Sequence, residues 1–347
     1  MPTLDVRIKK GLKLFIGFVI VTMLALIIFT ASRETIETLG KINLFYLIIA
    51  TVFWCIYLLL DAVRISLLTH GITGRWGSLK TGIDVILTGA FLAAITPFQT
   101  GGLPVQSYIF KRDGIPWGKG TLIILLRGIF FVIMIITLLP FLLPILAKES
   151  TVTPIRILYR YSGIIYFFIG LLIALILIKP EVIKRFIYRM TMRRGKRNKT
   201  SRWIYRIFKE IKEMKDGFWC FSTEKKWHSL ASFFLTYITY IPYFFIAPLL
   251  LKGLGIEVSF MKAAFLQLVV VLFTFFSPTP GATGVSEGGF ALLFSPIVAR
   301  HILGVFTILW RFFTFYLTAI IGGIDAIKIL KLGGMEFEQK KVQSEES

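Results

Sequence analysis

Apolar residues run almost without a break through eight stretches of the chain, at approximately 12–31, 42–62, 83–98, 120–147, 161–179, 229–251, 263–278 and 301–330. Their lack of two-residue alternation and their length predict helices. About 20 residues at roughly 1.5 Å each cover the ~30 Å hydrocarbon core of a bilayer, and six of the stretches are long enough to cross. The other two are short and stop at polar, glycine-bearing sequence: TPFQTGG after the first, SPTPG within the second.

Charge along the chain decides how these helices are threaded. Eight full crossings from a cytoplasmic N-terminus would put the basic block 184–215 outside, against the excess of Lys and Arg that marks cytoplasmic loops. One alteration restores the rule. If 83–112 enters from the cytoplasm, breaks at TPFQTGG and returns, Lys111, Arg112 and Lys119 stay inside and the block becomes cytoplasmic. If 263–299 is a second hairpin entering from the other face, the last span returns inward with Lys328, Lys331, Lys340 and Lys341. The expected architecture is all-α and polytopic: about six full spans plus two opposed re-entrant broken-helix hairpins in an inverted repeat. The halves fall at about 42–147 and 229–332, joined by a basic amphipathic segment 181–226 and followed by a polar tail 333–347. Both termini are expected in the cytoplasm.

The two breaks share a pattern. TPFQTGGLPVQ at 96–106 and SPTPGATGVSE at 277–287 each carry proline second, then glycines, then a polar residue at the end. Arg127 follows Pro97 by 30 residues, and Arg311 follows Pro278 by 33. Irregular backbone in hydrocarbon leaves polar groups unpaired unless protein or a wet cavity surrounds it, and paired breaks of this kind point to a transport site between the halves. Pro278 and Pro280 would stop one half-helix, Gly281 and Gly284 would admit a ligand near the backbone, and a second half-helix would begin near Val285 with its positive dipole end toward an anion. Gly101 and Gly102, ahead of Gln106, would form the counterpart. A simple turn between helices is the plain alternative for either cluster alone.

Arg127, in LIILLRGIFFVI, and Arg311, in FTILWRFFTFYL, are too costly to face lipid. Two readings stay open for them: salt bridges to internal acids, with Glu287 and Asp84 the candidates, or capture of a lipid phosphate by the guanidinium fork. Glu287 and Asp84 are also candidate proton carriers. Arg64, beside Asp61 in LLLDAVRISLL, is expected to snorkel from the end of its span, with a headgroup contact as the alternative. Asp325 is placed at the interface.

Composition narrows the class further. Of 347 residues, 56% are hydrophobic and 17% charged, which excludes an ordinary soluble protein. The N-terminal run is too long for a cleaved leader and is read as a retained span. The formal charge of +21 concentrates in 184–215, where thirteen Lys or Arg face two acids among interleaved aromatic and aliphatic residues. That pattern fits either amphipathic helices on an anionic leaflet or a plain basic cytoplasmic loop, and no nucleic-acid motif accompanies it. Cys55 and Cys220 show no pairing pattern, and His70, His228 and His301 are scattered, so no metal, disulfide or cofactor is expected.

The segments PTPGATGVSE, LWRFFTFYLTAIIGG and TPFQTGGLPVQSYIFKRDGI, within a likeness running from about residue 10 to 332, resemble the lysylphosphatidylglycerol synthetase transmembrane family, also called flippase-like or UPF0104 membrane proteins. Pro278, Thr279, Pro280, Gly281, Gly284 and Glu287 match its PTPGGxGxxE pattern, with Ala282 in place of a glycine. The resemblance implies a plasma-membrane lipid transporter of prokaryotic type. In the multiple peptide resistance factor the like region accompanies a soluble aminoacyl-transferase domain and serves antibiotic resistance by moving lysyl-phosphatidylglycerol outward. Here the chain ends at GGMEFEQKKVQSEES, so synthase activity is not implied. The expected function is a flippase or scramblase for a phospholipid or polyprenyl-phosphate, with Arg64, Arg127, Arg311 and both glycine-rich turns at the headgroup. The rivals are a membrane-embedded lipid transferase, for which no catalytic constellation stands out, and a non-transporting partner subunit. A homodimer is left open.

Overall fold

The computed structural model describes residues 40, 42–149, 216–275 and 277–329. The expected spans 12–31 and 161–179, the basic segment as far as residue 215 and the polar tail lie outside the described residues. What is described is helical throughout: α1 (Leu44–Thr73), α2 (Leu79–Ala94), α3 (Gly102–Arg112), α4 (Trp117–Glu149), α5 (Lys226–Phe244), α6 (Ile246–Gly253), α7 (Phe260–Phe275), α8 (Val285–Phe294) and α9 (Arg300–Arg311). α9 continues through a π-helical turn, Phe312–Tyr316, to Ile329. Among the described residues, four helices are long and apolar enough to cross a membrane: Leu44–Thr73, Trp117–Phe141, Lys226–Gly253 and Arg300–Ile329. The chain is an all-α polytopic membrane protein.

The long helices are arranged inside out relative to a soluble bundle. On α1 the exposed stripe is Phe45, Ile48, Val52, Ile56, Leu59 and Val63, spaced three or four apart, while the buried face carries Asp61 and Arg64. α5 repeats this with Leu230, Phe234, Ile238 and Ile241 outward and Ser232, Thr236 and Thr239 inward. Apolar side chains toward lipid and polar ones toward neighbouring helices are what a hydrocarbon solvent selects.

Local chemistry sets the ends. Asn43 caps α1 through its Oδ1, which accepts from the Phe45 N–H at 3.0 Å, and Gly74 closes it in the left-handed region with φ +77°. α1 thus runs eleven residues past the expected end at 62, because its two charges find partners on the buried face rather than ending the span. Pro242 weakens α5, and the chain bends at Phe245 between α5 and α6. Gln267 of α7 heals the gap: its Oε1 accepts from Ala247 N–H at 3.0 Å and its Nε2 donates to the Tyr243 carbonyl at 2.8 Å. One carboxamide therefore stands in for an i→i−4 backbone bond.

Both hairpins form. α2 packs against α3 and α7 against α8, and the two breaks touch, with Phe98 N–H donating to the Pro278 carbonyl at 3.3 Å. One apolar core gathers Phe290, Phe294, Phe306 and Trp310 with α6 and α7, and another gathers Ile65, Leu68, Ile109 and Phe110 with α2 and α4. Gly322 joins α9 to α2, where an added Cβ would lie 2.0 Å from the Leu87 carbonyl oxygen.

Candidate functional site

The breaks differ in how they turn. In the second, Gly281 and Gly284 take φ of +61° and +89°, with Ala282 at +58° between them. In the first, the left-handed residues are Phe98 and Gln99, at +52° and +56°, a conformation that costs a non-glycine residue about 1 kcal/mol or more. Gly101 and Gly102 are not the turn. They serve close packing: a Cβ on Gly101 would meet Thr96 and the Leu92 carbonyl at 2.7–2.9 Å, and one on Gly102 the Gly89 carbonyl at 3.2 Å.

Each break lies near an arginine, Arg311 buried and Arg127 half-buried. In the second half, Arg311 Nε donates to Glu287 Oε1 at 2.8 Å, and its Nη2 donates to the Gly281 carbonyl. Tyr316 donates to the same Oε1 at 3.1 Å, while Glu287 Oε2 accepts from Gly284 N–H at 2.6 Å. Phe315 faces the guanidinium at 4.1 Å. The π-helical turn that follows Arg311 sets Phe315 and Tyr316 against it. Glu287 thereby caps the N-terminus of α8 with its own carboxylate, which answers the helix dipole from within the protein.

In the first half the acid comes from elsewhere. Asp61 of α1 is fully buried and accepts from two arginines: Arg64 Nε and Nη2 reach its Oδ1 at 3.0 and 2.6 Å, and Arg127 Nε reaches Oδ1 at 3.2 Å while its Nη2 donates to Oδ2. Arg64 is fully buried as well. It does not snorkel, because Asp61 one turn earlier holds it inward. Its Nη1 has no partner among the described residues. Arg127 pairs with Asp61 rather than with Asp84, which instead meets Arg112 at 3.5 Å. One carboxylate between two guanidinium groups leaves this cluster with a net positive charge.

A cavity of about 400 Å³ lies where the halves meet. Arg127, Gly102 and Gln106 line it, together with Tyr57, Tyr240 and Tyr243, and α9 contributes Thr314, Phe315 and Thr318. The Gln106 side chain fits because position 89 is glycine: an added Cβ there would lie 2.1 Å from Gln106 Nε2, the atom that donates to the Val85 carbonyl at 3.2 Å. Of the other expected site residues, Gly101, Pro278, Pro280, Gly281, Gly284, Glu287, Arg311, Arg64 and Asp84 do not line the cavity. Arg311 stands one side chain behind it, against Phe315.

The fold brings together residues that the sequence reading kept apart. Asp61 and the three tyrosines were missed, although Tyr57, Asp61 and Arg64 share one face of α1 and Tyr240 and Tyr243 share one face of α5 by helical spacing. His70 and His228, expected to be scattered, lie 2.9 Å apart between ring nitrogens. No group of three or more metal-ligating side chains occurs among the described residues.

An all-α membrane protein with two broken hairpins touching at their tips, a cavity where the halves meet and an arginine near each break is the class that these elements define. The chain belongs to the family of the lysylphosphatidylglycerol synthase transmembrane region, whose pattern it matches over residues 14–322. It is similar to a UPF0104 membrane protein of Archaeoglobus fulgidus, 25% identical over 314 residues that cover 89% of this chain and 95% of that one. It is also similar to a UPF0104 membrane protein of Pyrococcus horikoshii, 25% identical over 340 residues that cover 93% and 98%.

Proposed function

We propose that the protein is a lipid transporter of flippase or scramblase type, which carries a phosphate-bearing lipid headgroup between leaflets through the cavity where the two halves meet. The observation that carries this reading is the charge imbalance around Asp61. Arg127 is the member of that cluster that reaches the cavity, with 17% of its side chain exposed. A guanidinium already oriented by a carboxylate on one side, and open on the other, is a preorganised receptor for a phosphate oxygen. The arrangement of broken helices at an interface of repeats supports transport, since the headgroup can pass while the tails stay in lipid and the two halves rock about the meeting tips. Arg311, held by Glu287 and Gly281, braces the second tip in this scheme, and the basic segment 184–215 holds the cytoplasmic side to anionic lipid.

The test is leaflet exchange in proteoliposomes with fluorescent phospholipids, read by quenching of the outer leaflet. The protein is expected to move label well above the rate of empty liposomes, and Arg127→Met to bring the rate back near that baseline while the protein still folds. Exchange at the empty-liposome rate for every lipid in the panel would overturn the reading.

A further inference from the structure

Resting on the transport reading, we infer that the cavity selects a phosphodiester bearing an uncharged polyhydroxyl headgroup, such as a glycerol, inositol or hexose, over one bearing an amine. Three observations converge. First, the cluster at its wall carries one net positive charge, from Arg64 and Arg127 against Asp61, which matches the single negative charge of a phosphodiester. A phosphomonoester would bring about −1.5 to −2 near neutral pH. Second, the rest of the polar wall is uncharged among the described residues. Gln99, Gln106, Thr314 and Thr318 offer amides and hydroxyls, and Tyr57, Tyr240 and Tyr243 add phenols. These groups both donate and accept, as a polyol does, whereas an ammonium needs acceptors and an anion, and no carboxylate lines the space.

Third, the aromatic rings are not a vacant cage for a cation. Tyr240 already faces Arg64, whose Cζ lies 5.5 Å from the ring centroid, and Phe315 faces Arg311 at 4.1 Å. The quadrupoles that would attract a ligand's ammonium are turned to the protein's own guanidinium groups, and those charges repel a second cation. Tyr57 and Tyr243 pack against each other with ring centroids 5.0 Å apart and line the same space. The volume of about 400 Å³ lies within the range of small-molecule pockets.

The experiment is native mass spectrometry of the full chain in detergent. Phosphatidylglycerol and phosphatidylinositol compete with phosphatidylethanolamine, phosphatidylcholine and lysyl-phosphatidylglycerol, and the same panel is run for exchange in proteoliposomes. Polyol lipids are expected to bind at least about tenfold more tightly, since like-charge juxtaposition in a desolvated site is strongly unfavourable. Gln106→Glu, which places a carboxylate at the wall, should shift the preference toward the amine-bearing lipids. Glycerophosphoinositol without tails separates sources: if it competes as well as the lipid, the chemistry holds and the ligand is a soluble phosphodiester. Selective binding without leaflet exchange would sink the transport reading and leave this one standing. Equal or tighter binding of the amine-bearing lipids by the unaltered protein, or no binding by any of the panel, would overturn it.

Discussion

The two hairpins are built from corresponding parts and end in different electrostatic states. Pro97 and Pro278 start the breaks, Gln106 and Glu287 each follow their proline by nine residues, and Arg127 and Arg311 follow on the next long helix. In the second half the acid lies on the hairpin itself, so Glu287 satisfies Arg311, Tyr316 and the Gly284 N–H together, and the cluster is neutral. In the first half that position is the neutral Gln106. Arg127 must reach across to Asp61, which Arg64 already holds, and a positive charge is left beside the cavity. The half with the carboxylate thus holds a neutral cluster, and the half with the carboxamide a positive one.

That contrast is open to attack at its strongest point first. Glu287→Ala should leave Arg311 buried without its carboxylate and remove the capping acceptor of α8, at a cost of about 3–5 kcal/mol. Thermal unfolding in detergent should show it as a large fall in midpoint. Arg127→Met leaves Asp61 with Arg64 and so should fold, while phospholipid binding by native mass spectrometry weakens by ~2 kcal/mol or more, roughly thirtyfold. If Arg311→Met weakened binding as much without destabilising the protein, the two halves would not differ as described. Gly322→Ala forces a methyl group against the Leu87 carbonyl and should cost about 1–2 kcal/mol by overpacking, with α9 pushed from α2. Tyr316→Phe removes one of several donors to Glu287 and should cost only ~1 kcal/mol. A larger loss would mean that the glutamate depends on Tyr316 more than on Arg311.

Much of this plan was legible in the residues, and the exceptions have physical causes. The breaks were visible because proline and glycine interrupt apolar runs, whereas Glu287 was one of two candidate acids for the arginines, and spacing alone did not assign it to Arg311. Asp61 was misjudged because a charge at the edge of an apolar run reads as the end of a span, whereas the other face of the helix, with Val52, Ile56, Leu59 and Val63, continues to face outward. Tyr57, Tyr240 and Tyr243 escaped notice since a tyrosine in an apolar segment reads as bulk. Gln267 went unremarked, since its role depends on a backbone gap that no spacing within α7 reveals. Gly101 and Gly102 pointed to the right place for another reason: they permit contact, while Phe98 and Gln99 carry the turn.

The transport account stands or falls on which arginine meets the phosphate. A structure of the protein with phosphatidylglycerol bound, at a resolution that shows the headgroup, tests this directly. The account predicts phosphate density within hydrogen-bonding distance of the Arg127 guanidinium, with the Arg311 to Glu287 bond intact. Phosphate beside Arg311 with that bond broken, or a cavity closed and dry against added lipid, would contradict it.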